Sequence, residues 1–186
     1  MTIVAGGDSF IWGCELLDHK HGGMNGYSRN TFTSLLAGTD TYICAAYPGI
    51  GNREVVARMI NTLETLNDNI GVLVNWTWQG RDNVVDSDLD ILVLQRYLVE
   101  RDIPYMFTCA DNCIVTDNPE IDYSHWFFFP RGVGVDQTES PRGFYQWAIE
   151  NKYPIGSQGH PLEQAHKDAY DMMQEKFNEL VKKHLQ

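Results

Sequence analysis

Basic residues are scarce in this chain: 14 lysines and arginines stand against 25 aspartates and glutamates, a formal net charge of −11. A field of that sign repels phosphate backbones and anionic lipid, so no nucleic acid and no membrane is expected among its partners. Long apolar runs are missing as well. Nothing approaches the roughly 18 uninterrupted apolar residues of a membrane span, and the opening MTIVAGGDSF has neither a basic leader nor a signal-peptide core, so the expected location is cytoplasmic. Cysteine is confined to Cys14, Cys44, Cys109 and Cys113. All four lie in apolar surroundings and only the last two are close in sequence, which predicts buried reduced thiols rather than disulfides or a zinc site. There is no repeat, low-complexity tract or linker. The remaining composition, 43% hydrophobic and 21% charged over 186 residues, is that of one globular domain spanning 1–186.

The apolar residues that are present fall into two kinds of segment. Residues 2–6, 41–46, 71–76 and 103–109 are short runs rich in β-branched and aromatic side chains, without polar alternation, as in parallel strands covered on both faces. Between the second and third runs, Val56, Met59, Ile60, Leu63 and Leu66 recur at helical spacing; between the third and fourth, Leu89, Leu92, Val93 and Leu98 do the same. Leu162, Ala165, Ala169, Met172, Met173, Phe177, Leu180 and Val181 predict a C-terminal helix with Pro161 in its first turn and Lys182, Lys183 and His184 at its end. Strands alternating with helices predict a three-layer α/β/α sandwich on a mostly parallel sheet of four to five strands. The aromatic stretches HWFFFP and FYQW are expected to supply a fifth edge strand and a covering helix. In such folds functional groups gather beyond the carboxyl ends of the strands, so the loops after them carry the chemistry.

Three of those places stand out. After the first strand, Gly6-Gly7-Asp8-Ser9-Phe10 combines a tight turn with a serine delivered at a helix start, where a nucleophile would sit; Asp8 and Ser9 acting only as helix caps is the plainer explanation. After the second, Pro48-Gly49-Ile50-Gly51-Asn52 opens a helix, and a free Gly51 amide there can stabilise negative charge on oxygen, whereas an ordinary turn capped by Asn52 would look the same in sequence. Before the last helix, Gly159-His160-Pro161 braces a loop histidine suited to general-base work. His166 is expected to pack on or beside that helix.

Taken together, in this order and at these element ends, the motifs resemble those of the SGNH, or GDSL-like, hydrolases across nearly the whole chain. The resemblance implies a flavodoxin-like sheet, Ser9 as nucleophile, the Gly51 amide in an oxyanion hole and His160 as base. The family's third block, Gly-x-Asn-Asp, is replaced by Asn75-Trp76-Thr77-Trp78-Gln79-Gly80-Arg81-Asp82; Asn75 is the nearest substitute amide for the oxyanion hole, about two residues early in register. The aspartate that the family places three residues before the histidine is replaced by Ser157. That leaves a Ser-His dyad, an acid such as Asp136 swinging in, or a silent site, with the Ser157 hydroxyl or a carbonyl of the 156–159 loop holding the imidazole. The pattern also resembles an SGNH-like subgroup of tailed phages, which would make a virion association, with virion proteins as partners, part of its setting.

The resemblance implies a serine esterase for a small acyl ester, for instance an O-acetylated carbohydrate, with no metal and no cofactor. Trp12, Trp76 and Trp78 near the strand ends suit sugar rings as well as ordinary cores. The alternative is a catalytically silent binding or structural protein that kept the fold, which alone does not establish activity. A nucleotide-binding protein is disfavoured by the absence of a phosphate loop.

Overall fold

The computed structural model describes residues 1–19, 26–67, 69–81, 87–132 and 141–185. Strands β1 (Thr2–Gly6), β2 (Thr41–Cys44), β3 (Ile70–Trp76) and β4 (Tyr105–Cys109) form one sheet in the order β2-β1-β3-β4, with every neighbouring pair parallel. All seven residues of β3 are buried, as its uninterrupted apolar run requires of a strand covered on both sides. The two-residue strand period divides the core. Ile3, Ala5, Leu73 and Met106 face one layer, and Val4, Val72, Val74, Trp76 and Phe107 face the other.

Helices α1 (Ser9–Trp12), α2 (Phe32–Ala37), α5 (Phe144–Glu150) and α6 (Glu163–Leu180) pack on the first face, and α3 (Asn52–Leu63) and α4 (Ser87–Glu100) on the second. This is the three-layer, flavodoxin-like arrangement expected from the sequence. The departures have local causes. β4 starts at Tyr105 rather than at residue 103, because Pro104 has no N–H for the ladder. The expected fifth strand shrinks, among the described residues, to one parallel bridge between Trp126 and Phe107, after which Phe129 pairs with Arg142 instead. FYQW forms α5, the covering helix. α6 begins at Glu163 with Leu162 as N-cap, and Pro161 lies outside it in an antiparallel bridge with Ile155 that closes the preceding loop. All four cysteines are free, but only Cys109 is buried as expected; Cys14 and Cys44 are half-buried, and Cys113, in the loop beyond β4, is exposed.

The loop in front of α6 carries His160, so the seating of this helix decides where that imidazole stands. α6 is fixed to α2 by His166, which is buried between the rings of Phe32 and Phe144 and whose Nδ1 accepts the Phe32 N–H at 3.2 Å. That N–H belongs to the first turn of α2 and has no partner within the helix. Accepting it requires Nδ1 to be unprotonated, and burial, reinforced by the charge of His160, lowers the His166 pKa to about 3. Between about pH 6.5 and pH 3 the unfolded chain therefore binds a proton that the folded chain refuses, so stability falls as the pH drops through that window. In urea unfolding at pH 7 and pH 4.5, His166→Asn, whose Oδ1 can take the same N–H, is expected to remove on the order of 2 kcal/mol of the wild-type pH dependence.

Candidate active site

The carboxyl edge of the sheet is shaped first by Gly7. Its φ is +146°, and a Cβ there would lie 2.6 Å from the Ile11 side chain and 2.9 Å from the Asn75 carbonyl oxygen, so no other residue lets the chain turn from β1 into α1 this closely. Asp8 does cap α1, its Oδ1 accepting the Phe10 N–H at 3.0 Å, so the capping explanation holds as far as it goes. Ser9 is the first residue of α1. It is nearly buried, and neither its N–H nor its Oγ makes a hydrogen bond among the described residues.

Gly51 is the N-cap of α3, buried, and its N–H likewise has no acceptor among the described residues. Buried backbone N–H groups are rarely left unpaired. Asn52 does not cap this helix. Its side-chain amide instead pairs with the backbone of Thr77 in both directions, Nδ2 to the carbonyl at 3.1 Å and Oδ1 from the N–H at 3.0 Å, which locks the start of α3 to the end of β3. Thr77 Oγ1 then donates to Asp8 Oδ2 at 2.7 Å. Arg81 adds an ion pair to the same oxygen, Nη1 to Oδ2 at 2.9 Å, reaches the Ile50 carbonyl at 3.5 Å and lies 4.9 Å over the Trp78 ring.

Asn75 is not brought to this edge. It lies within β3, paired in register with Thr108, fully buried on the Leu73 face, with neither amide atom hydrogen-bonded among the described residues. The strand period turns it into the core; the residue that emerges beyond the strand is Thr77, two positions later, matching the register offset seen in the sequence. The same alternation buries Trp76, while Trp12 and Trp78 remain partly exposed.

His160 packs its ring edge-on against Phe10, the residue after Ser9, with centroids 5.6 Å apart. Its Nδ1 lies 2.7 Å from Oε2 of Glu15, a residue that nothing in the sequence marks out. Glu15 follows the short helix that Ser9 opens, past Gly13, and adopts φ +68°. The loop before α6 folds around this carboxylate: Ser157 Oγ donates at 2.9 Å, the Gln158 N–H at 2.9 Å and the His160 N–H at 3.3 Å. Burial alone would raise the Glu15 pKa, but the hydrogen bonds from His160, Gln158 and Ser157 take it down to about 2, so it is a carboxylate at neutral pH. A Cβ on Gly156 would sit 2.5 Å from Glu15 Oε2, so glycine is the residue that makes room for the carboxylate. Ser157, expected to hold the imidazole, holds the acid instead. Asp136 lies outside the described residues. With Nδ1 engaged, His160 Nε2 is the ring nitrogen left without a partner among the described residues.

No family model matches the chain, and no curated protein matches it in sequence. Solved structures do match over nearly the full length of both partners. A member of the lipolytic G-D-S-L family from Veillonella parvula is 11% identical, with 97% of this chain and 100% of that one covered and a TM-score of 0.58. EstA, a psychrotrophic esterase from a Pseudoalteromonas species solved in a form inhibited by monoethylphosphonate, is 14% identical over 99% and 98%, with a TM-score of 0.54. At these identities the likeness is one of architecture, and the chain has the fold of the GDSL-type lipolytic esterases.

Proposed function

We propose that this chain is a serine ester hydrolase in which Ser9, His160 and Glu15 act together on a small acyl ester, with an O-acetylated carbohydrate as the favoured substrate. The observation that carries the reading is the Glu15 carboxylate on His160 Nδ1. It fixes the imidazole tautomer with Nε2 free to accept a proton, and it stabilises the imidazolium that forms. Ser9 Oγ loses its proton to His160 Nε2 and attacks the ester carbonyl. The negative charge on the carbonyl oxygen is taken by the unpaired N–H groups of Ser9 and Gly51. The imidazolium then protonates the departing alcohol; water, deprotonated by the same nitrogen, attacks the acyl group, and that proton returns to Ser9 Oγ as the acid is released. Asn75 has no part in this scheme, since its amide is enclosed in the core. The fold shared with an esterase that a phosphonate inhibits supports serine chemistry, and the partly exposed Trp12 and Trp78 offer faces for a sugar ring. The Glu15 carboxylate on His160 Nδ1 favours a triad over the dyad that the sequence suggested, and it weighs against a silent site.

A fluorophosphonate probe followed by intact-mass measurement is expected to add one label per wild-type chain and none to Ser9→Ala; an unlabelled wild type would sink the proposal. With p-nitrophenyl acetate, Glu15→Gln is expected to lower kcat by on the order of 10³–10⁴ while circular dichroism stays unchanged.

Two further variants probe the carboxylate loop through the same assay. Gly156→Ala, by pushing Glu15 aside, is expected to cost about 10²-fold in kcat. Ser157→Asp exchanges a donor for a second negative charge against Glu15 and is expected to slow the reaction, whereas a gain in rate would mean that Glu15 is not the acid that serves His160.

A further inference from the structure

Arg81 has a place at the active edge that neither the triad nor the two N–H groups account for. Asp8 is fully buried and both of its oxygens are taken: Oδ1 by the Phe10 N–H, Oδ2 by Thr77 Oγ1 and by Nη1 of Arg81. The guanidinium is thus pinned at one corner, to Asp8 and the Ile50 carbonyl, the residues immediately before Ser9 and Gly51. Its flat face rests on Trp78, which itself packs 5.4 Å from Phe10. Nε and Nη2 have no acceptor among the described residues, and the side chain is 31% exposed. A planar cation held on one side, with its other edge unpaired among the described residues, has the geometry that grips a carboxylate through two parallel N–H bonds.

A net charge of −11 repels anions, but that field is screened beyond about 8 Å at physiological salt, so a cation at the site can set its local preference. The other aromatic wall has the same construction: Arg58 lies 5.1 Å over Tyr47, which packs on Trp12 at 5.4 Å and bonds the Gly7 carbonyl through its N–H.

Resting on the hydrolase reading of the same site, we infer that Arg81 is a specificity residue that selects esters bearing a carboxylate close to the scissile bond, whether on the acyl side or, as in an acylated acidic sugar, on the alcohol side. The test compares matched pairs: 4-acetoxybenzoate with 4-acetoxybenzamide for the alcohol side, and the 4-nitrophenyl monoester of adipic acid with its terminal amide for the acyl side. The quantity read is the ratio of kcat/KM, charged over neutral, within each pair. In wild type it is expected to reach about tenfold or more in one pair, to fall at least tenfold in Arg81→Gln whatever happens to the absolute rates, and to be partly retained in Arg81→Lys. A ratio near one in wild type, or one that Arg81→Gln leaves unchanged, overturns the assignment and makes Arg81 a brace for Asp8 and Ile50 only. Failure of the hydrolase reading would look different, with no Ser9 labelling and no turnover of any ester. The charge preference is then read by calorimetric binding of 4-acetamidobenzoate against 4-acetamidobenzamide, and equal binding, or binding equal in wild type and Arg81→Gln, overturns it.

Discussion

A carboxylate taken out of water must be surrounded by donors, and the Glu15 side chain meets that demand with donors drawn almost entirely from the loop before α6. Ser157, Gln158 and His160 converge on its two oxygens, and the imidazole Nδ1 completes the set. The conformations around it follow from this requirement. Glu15 sits at φ +68°, a left-handed backbone that costs energy for a residue with a side chain and persists only where its surroundings enforce it. Gly156 has no side chain because the carboxylate occupies that space, and its N–H bonds back to the His160 carbonyl at 2.8 Å to hold the loop tight.

A second network stands behind Ser9 and obeys the same rule. Asp8, Thr77, Asn52 and Arg81 are mutually bonded, and together they join the loops after β1, β2 and β3. Against that background of satisfied polar groups, the N–H groups of Ser9 and Gly51, unpaired among the described residues, are conspicuous. They lie at the starts of two helices, where the backbone itself leaves donors unpaired and the helix dipoles favour negative charge.

Much of this was legible in the sequence, for reasons that can be stated residue by residue. The strands showed themselves because parallel strands buried on both faces are largely apolar, as 70–76 are apart from Asn75, and Ser9, Gly51 and His160 because each lies at an element boundary marked by glycine or proline. Glu15 was not legible. It lies six residues from Ser9 and looks like any surface acid; what makes it special is a positive φ and a partner near the other end of the chain, neither of which has a local sequence signature. Asn75 has the right chemistry one strand period too early: it is still enclosed within β3, and Thr77, two residues later on the same face, is the residue beyond the strand end. The aromatic run HWFFFP had strand composition, yet its rings found partners within the second core layer and with α5, and the ladder stopped after one bridge.

The bond between Glu15 and His160 joins residues 145 apart in the chain. Closing so large a loop is entropically costly, so the contact leans on the packing of α6 against α2 through His166. Ser9, Glu15 and Gly51 all belong to the first third of the polypeptide, and the proposed base belongs to the last. In the proposed mechanism the nucleophile and the acid lie six residues apart, and the imidazole is brought to them from near the other end of the chain. Under the proposed mechanism, reactivity at Ser9 would therefore report on whether the final helix is seated.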